Sequence, residues 1–236
     1  MAQIKFVQTW DTVAGRKQEY AAFITMEFLP GLKAAGLDVD SGWYTLLGRG
    51  PHMVVDSLAG SLNEVEKAVH NKEAREMLDR FMNLVTGYSS CVLESAGWET
   101  RERGEASTRG AARFLQVWDI LPGEREALER FVREEHLPEM ARIGLEVTSA
   151  WRLALGAGPQ IVLEATAADL SNIFNALGDE RYLRLIMRIE EMVTRQENRV
   201  MVRIERFLDV LYNMYGRAIR AVLPDTMHSM VGPVGE

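Results

Sequence analysis

The residue types best suited to chemistry lie together in Glu134-Glu135-His136-Leu137-Pro138. An imidazole has an unperturbed pKa near ~6.5, so His136 can give or take a proton at neutral pH. Pro138 has no backbone N–H to donate, which opens the helix it interrupts near Glu134. The competing reading is a solvent-facing or capping histidine beside a helix kink. Glu135 continues the apolar stripe of Leu128, Phe131 and Val132 at helical spacing. A carboxylate carried inward there would need a partner, whereas a turn of the helix at Pro138 would leave it in water. Gln8 and Gln116 are amides set between aromatics on alternating segments, Phe6 and Trp10 in one case and Phe114 and Trp118 in the other. A turn centred near Gly158 would put Arg152 opposite Glu164, and the same sums put Tyr44 opposite Asp56. Such an arginine is either a surface ion pair worth under ~1 kcal/mol or, on a face lining a cavity, an anchor for a substrate carboxylate. The expected site is therefore His136 as the acid–base group, with Arg152, Gln116, Gln8, Tyr44, Trp118 and Glu135 around the substrate.

Other chemistries lack their residues. His52, His70, His136 and His228 are scattered without metal-ligand spacing, and Cys91 is the only cysteine, so no metal site and no intrachain disulfide is expected. Gly48-Arg49-Gly50-Pro51 and Gly156-Ala157-Gly158-Pro159 are turns rather than phosphate loops, because a strand and not a helix follows each. No Ser-His-Asp arrangement stands out. A formal charge of −7 and a pI near 5.3 exclude a nucleic-acid footprint, which needs a clustered basic face. No stretch approaches the ~20 apolar residues that span a bilayer. Met1-Ala2-Gln3-Ile4-Lys5 leads into an alternating strand rather than an apolar signal core, so a cytoplasmic protein is expected.

The elements that must position these residues come in duplicate. Shifted by 108 residues, the chain matches itself at 25 of the 81 gapless positions from Phe6 to Thr86. Phe6-Val7-Gln8-Thr9-Trp10-Asp11 returns as Phe114-Leu115-Gln116-Val117-Trp118-Asp119, Leu29-Pro30 as Leu137-Pro138, and Trp43 as Trp151. His136 departs from the pattern, since Phe28 stands at the matching place. Periodicity predicts strands over 3–12, 39–48, 52–59 and 88–95 with helices over 15–35 and 62–86. The second copy repeats this as 112–121, 124–143, 147–156, 160–167, 170–197 and 199–207. The order βαββαβ is that of a ferredoxin-like unit. Repeat 1 is expected over 1–97, a polar linker over 98–111, repeat 2 over 112–207, and a helix and tail over 208–236. The apolar stripe of Leu208, Leu211, Tyr212, Tyr215, Ile219 and Val222 suits either homo-oligomer contacts or packing over the barrel. Each unit has one sheet face its own helices leave bare, which a second sheet would cover.

Paired βαββαβ units, a Leu-Pro inside the first helix and a Gly-x-Gly-Pro hairpin between the middle strands resemble the dimeric α/β-barrel superfamily in fused, tandem form. The broad character is EthD-like or NIPSNAP-like, and His136 before Leu137-Pro138 resembles the His-x-Pro of the first helix in EthD-like proteins. The resemblance implies an α+β protein with two ferredoxin-like units packed sheet to sheet, plus the C-terminal helix, and a polar group at position 136 directed at a substrate cavity. It implies a cofactor-independent enzyme of monooxygenase, isomerase or lyase type acting on a small hydrophobic or aromatic substrate inside the barrel. A non-catalytic binding or assembly module is the alternative, and a haem protein resembling chlorite dismutase a second one. A cavity reaching His136 would favour the enzyme, a pocket sealed by Trp and Phe the module, and a Soret band the haem protein.

Overall fold

The computed structural model describes residues 3–98 and 110–204. The first half runs β1 (Ile4–Thr12), α1 (Lys17–Phe23), a π-helical turn (Ile24–Phe28), α2 (Leu29–Ala34), β2 (Asp38–Leu47), β3 (Met53–Ala59), α3 (Leu62–His70), α4 (Lys72–Phe81) and β4 (Val85–Ser95). The second half runs β5 (Ala112–Ile120), α5 (Arg125–Phe131), a π-helical turn (Val132–His136), α6 (Leu137–Arg142), β6 (Val147–Gly156), β7 (Ile161–Ala167), α7 (Leu170–Leu177), α8 (Glu180–Glu190) and β8 (Val193–Arg203). All strand pairs are antiparallel and close in the order β1-β3-β2-β8-β5-β7-β6-β4. The result is a mixed α+β protein with one eight-stranded sheet closed into a barrel and helices outside it.

Pleating separates three cores. On β1, Ile4, Phe6 and Trp10 face the helices of the first half, and on β5, Phe114 and Trp118 face those of the second. The intervening residues face the barrel interior, where Trp43, Trp151, Leu115, Val117 and Met201 pack together. Lys5, Asp56, Arg113 and Glu164 share that interior and are likewise buried. The substrate chamber expected between the sheets is therefore occupied by aromatic, aliphatic and ion-paired side chains.

The strand joining the halves begins earlier than its composition suggests. Residues 193–197, which read from sequence as helix, form the start of β8, and β4 likewise begins at Val85 rather than 88. Both stretches are mostly polar or small and only partly buried, so they carry little hydrophobic signal of period two. The long helices over 62–86 and 170–197 each divide, because Asn71 and Asp179 adopt extended backbone and cap α4 and α8 by accepting from Ala74 N–H and Arg181 N–H. The expected helix over 208–223 and most of the linker, residues 99–109, lie outside the described residues.

The hairpin turns also differ from expectation. Ser149 opposes Glu164 and Arg152 opposes Ile161, while Ser41 opposes Asp56 and Tyr44 opposes Met53. The reversal is centred near Gly48 and Gly156, the first glycine of each motif, rather than the second. Both adopt positive φ, at 112° and 96°. Both also sit on the seams that close the barrel: a Cβ on Gly48 would fall 2.3 Å from the Asn198 carbonyl oxygen on β8, and one on Gly156 would fall 2.8 Å from that of Ser90 on β4. Alanine at either place should cost about 1–3 kcal/mol in urea unfolding, from left-handed strain and loss of the close strand approach.

Candidate functional site

The helix carrying His136 winds through a π turn because of the proline that follows. Pro138 has no N–H, and the ladder shifts so that Leu137 N–H reaches the Val132 carbonyl five residues back. The first half repeats the device, with Leu29 N–H on the Ile24 carbonyl ahead of Pro30. The wide turn aims His136 at the outer face of the sheet, where it is fully buried. Its Nε2–H donates to Gln116 Oε1 at 2.9 Å, so the lone pair lies on Nδ1, which has no partner. Trp118 meets the ring edge-on at 5.3 Å and Phe131 lies 6.1 Å away. Burial pushes the imidazole pKa down to about 3, which keeps it neutral at physiological pH.

Around this imidazole the polar groups are unusually incomplete. Gln116 stands opposite Asn198 and Trp118 opposite Gln196, so all four side chains share the helix-facing side of β5 and β8. The Tyr182 hydroxyl, on α8, is next to the Gln116 and Asn198 amides, although in strict hydrogen-bonding geometry with neither. Burial drives the Tyr182 phenol well above its ordinary pKa, and those two amides partly offset this. Seven buried atoms here make no hydrogen bond of good geometry: His136 Nδ1, Gln116 Nε2, Trp118 Nε1, Tyr182 Oη, Asn198 Oδ1 and both amide atoms of Gln196, with Tyr182 Oη, Gln116 and Asn198 close enough to interact with one another. Native proteins leave few such groups, and each costs about 1–3 kcal/mol.

The first half shows the same place with its ring and amide N–H groups partnered, Gln8 Oε1 alone being left over. Trp10 Nε1–H donates to Tyr20 Oη at 2.9 Å and Gln8 Nε2–H to Tyr88 Oη at 2.8 Å. Phe28 stacks on Phe81 at 4.3 Å and meets Trp10 at 5.6 Å. At the positions 108 residues later, Tyr20, Phe28, Phe81 and Tyr88 become Leu128, His136, Ile189 and Gln196. Four aromatic rings of the first half give way to smaller or polar groups in the second, where Tyr182 adds a ring at the place of Ala74.

The structure thus brings His136, Gln116 and Trp118 together and puts Gln8 at the equivalent place in the first half. Tyr44 packs 5.6 Å from His52 near the barrel rim, with its phenol pKa raised mainly by burial and secondarily by Asp11. Arg152 points away from Glu164 and lies 4.0 Å from Glu94 in a half-exposed pair across the β4–β6 seam. Glu135 also lies at the surface, 4.0 Å from Arg188. Its duplicate Glu27 bonds Arg80 at 2.8 Å, so the carboxylate common to both copies ties the first helix to the last in each. The sequence marks none of Tyr182, Gln196 and Asn198: Tyr182 lies on a helix as expected, Gln196 falls in the run that reads as helix, and Asn198 falls between the predicted elements. Comparing duplicated positions would have flagged Gln196, which replaces Tyr88.

No group of His, Cys, Asp and Glu among the described residues could hold a metal ion. Haem needs an imidazole nitrogen facing a slot as wide as a porphyrin. His136 has its Nε2 engaged by Gln116 and Trp118 and Phe131 against its ring, and the packed residues do not fit that group. No described helix is long and apolar enough to cross a membrane.

No family model and no curated protein sequence matches the chain. Solved structures do match its fold. An anthrone oxidase-like protein superposes with a TM-score of 0.62 at 13% identity, covering 86% of this chain and 91% of its own. A proposed monooxygenase from Fusobacterium nucleatum gives 0.57 at 9% identity, covering 86% and 93%, and one from Lactobacillus acidophilus 0.53 at 12%, covering 86% and 94%. At these identities the likeness is one of fold: the ferredoxin-like α/β barrel, shared also with a proposed chlorite dismutase at a TM-score of 0.50.

Proposed function

We propose that this chain is a fused pair of ferredoxin-like units whose second half binds a small aromatic molecule between sheet and helices, with His136 as its acid–base group. The observation that carries this reading is the unpartnered Nδ1 of one neutral imidazole beside Gln116 and Trp118, with the under-bonded amides of Gln196 and Asn198 paired to them across the strands. A ligand bearing hydroxyl and carbonyl groups would satisfy the Gln116, Trp118 and Gln196 donors and the Asn198 and His136 acceptors together. Gln196 and Asn198 are only partly buried, so solvent comes nearest to the site on the β8 side. Monooxygenase, isomerase and lyase reactions without a cofactor share a first step, removal of a proton from an activated C–H or O–H acid. His136 Nδ1 is the unprotonated base for that step, its basicity restored by the negative charge that forms beside it, and the Gln116 and Trp118 N–H groups are donors for that charge. The structural neighbours described as monooxygenases and as anthrone oxidase-like support an enzyme of this kind.

The sealing of His136 by Trp118 and Phe131 favours a second reading, a binding or assembly module without chemistry. One panel separates the two. Small hydroxy-aromatic ketones and matching carboxylates would be titrated against Trp fluorescence and assayed for turnover. The enzyme reading expects binding of the neutral compounds, weakened about tenfold in Gln116→Leu, and turnover lost in His136→Phe. Binding without turnover of any compound would leave the module, and no binding at all would overturn the site.

A further inference from the structure

We propose that the four charges buried in the barrel form a length-matched sorting code, by which each half of the chain selects the unlike half and rejects a copy of itself. Lys5 and Arg113 occupy duplicate positions, as do Asp56 and Glu164. Each cation bonds the carboxylate of the other half. Lys5 Nζ lies 2.8 and 2.7 Å from the Glu164 carboxylate oxygens, and Arg113 Nη1 lies 2.6 Å from Asp56 Oδ2. The same-half approaches are longer, 3.7 Å for Lys5 to Asp56 and 3.3 Å for Arg113 to Glu164. Each cation also lies over the other half's tryptophan, Lys5 at 4.4 Å from Trp151 and Arg113 at 4.0 Å from Trp43. Ser149 Oγ donates to Glu164 at 2.5 Å and Ser41 Oγ lies 3.3 Å from Asp56, so the carboxylates are fixed from their own halves.

The pairing is by reach. The compact ammonium of lysine meets the longer carboxylate, and the extended guanidinium of arginine meets the shorter one. Two first halves packed together would oppose Lys5 to Asp56 and leave both pairs short. Two second halves would oppose Arg113 to Glu164 and leave both overlong. In a dry interior an ill-fitting pair is close to an unpaired charge, and a repulsive alternative is how an interface gains specificity. The partner chemistry is that of the unlike half, supplied within this chain.

The test uses the full chain and melting temperature. K5R/E164D keeps one cross pair matched as Arg with Asp, and D56E/R113K keeps the other matched as Lys with Glu. K5R/R113K and D56E/E164D hold total side-chain volume constant but mismatch both pairs. Matched variants are expected to melt within a few degrees of the parent and mismatched ones about 10 °C lower. Equal melting of matched and mismatched variants near the parent temperature would show that side-chain length does not decide the pairing and overturn the code. Matched variants melting as low as the mismatched ones would overturn it too.

Discussion

Glu164→Ala is expected to destabilise the protein by about 3–5 kcal/mol, because it leaves Lys5 and Arg113 sharing one buried carboxylate. Lys5 is fully buried and Glu164 nearly so, so water cannot take over the lost pairing. Burial alone would raise the Glu164 pKa, yet Arg113, then Lys5 and the Ser149 hydroxyl, hold it far below the usual carboxylate range. A depressed folded pKa makes this stabilisation present above the unfolded value of 4.5 and lost progressively as pH falls below it. Urea unfolding across pH should therefore show the gap between parent and variant narrowing in acid. The double replacement Lys5→Met with Glu164→Leu removes both charges and fills similar volume, and should cost much less than Glu164→Ala. A small loss in the single variant would mean that Asp56 and water support Lys5 without Glu164.

What was legible in the sequence divides along physical lines. The alternation Phe6, Gln8, Trp10 and its repeat named both strands and the face they share, because apolar periodicity survives in a single sequence. His136 stood out for the same reason, as a break in a duplicated helix. The interior charges did not. Lys5 and Arg113 each precede an aromatic strand residue and look like ordinary exposed edge charges; only closure of the barrel turns their face inward. Arg152 and Glu164 were read as partners because a hairpin's register depends on which glycine turns the chain. An error there moves every pair, here by three residues, so that Arg152 stands opposite Ile161 and the proposed anion anchor lies at the surface. Gln196 and Asn198 fell in a polar run without apolar period, so their place opposite Trp118 and Gln116 came only from the strand pairing.

His136→Phe should leave stability near neutral pH within about 1 kcal/mol of the parent while making the protein distinctly more acid-resistant. Phe28 shows that an aromatic hydrocarbon fits the equivalent place beside Trp10, and the variant exchanges one hydrogen bond to Gln116 for removal of an unpartnered ring nitrogen. The sign of the acid effect follows from the folded pKa of about 3 against 6.5 in the unfolded chain. Between those values the unfolded state takes up a proton that the native state refuses. The parent then loses stability as pH falls below 6.5, by about 1.4 kcal/mol per pH unit. The phenylalanine variant has no such proton to bind, whereas Glu164 and the other carboxylates titrate alike in both proteins and cancel in the difference. The gap between the two stability curves should open below pH 6.5 and reach about 3 kcal/mol near pH 4. Curves that stay parallel from pH 7 to 4 would mean that His136 protonates freely in the folded protein, in contact with water, and its neutral Nδ1 would no longer stand as the base of the site. A ligand that donates a proton to Nδ1 would have the opposite influence, raising the imidazole pKa in the complex, so its affinity should fall as pH rises through the free ligand's own pKa.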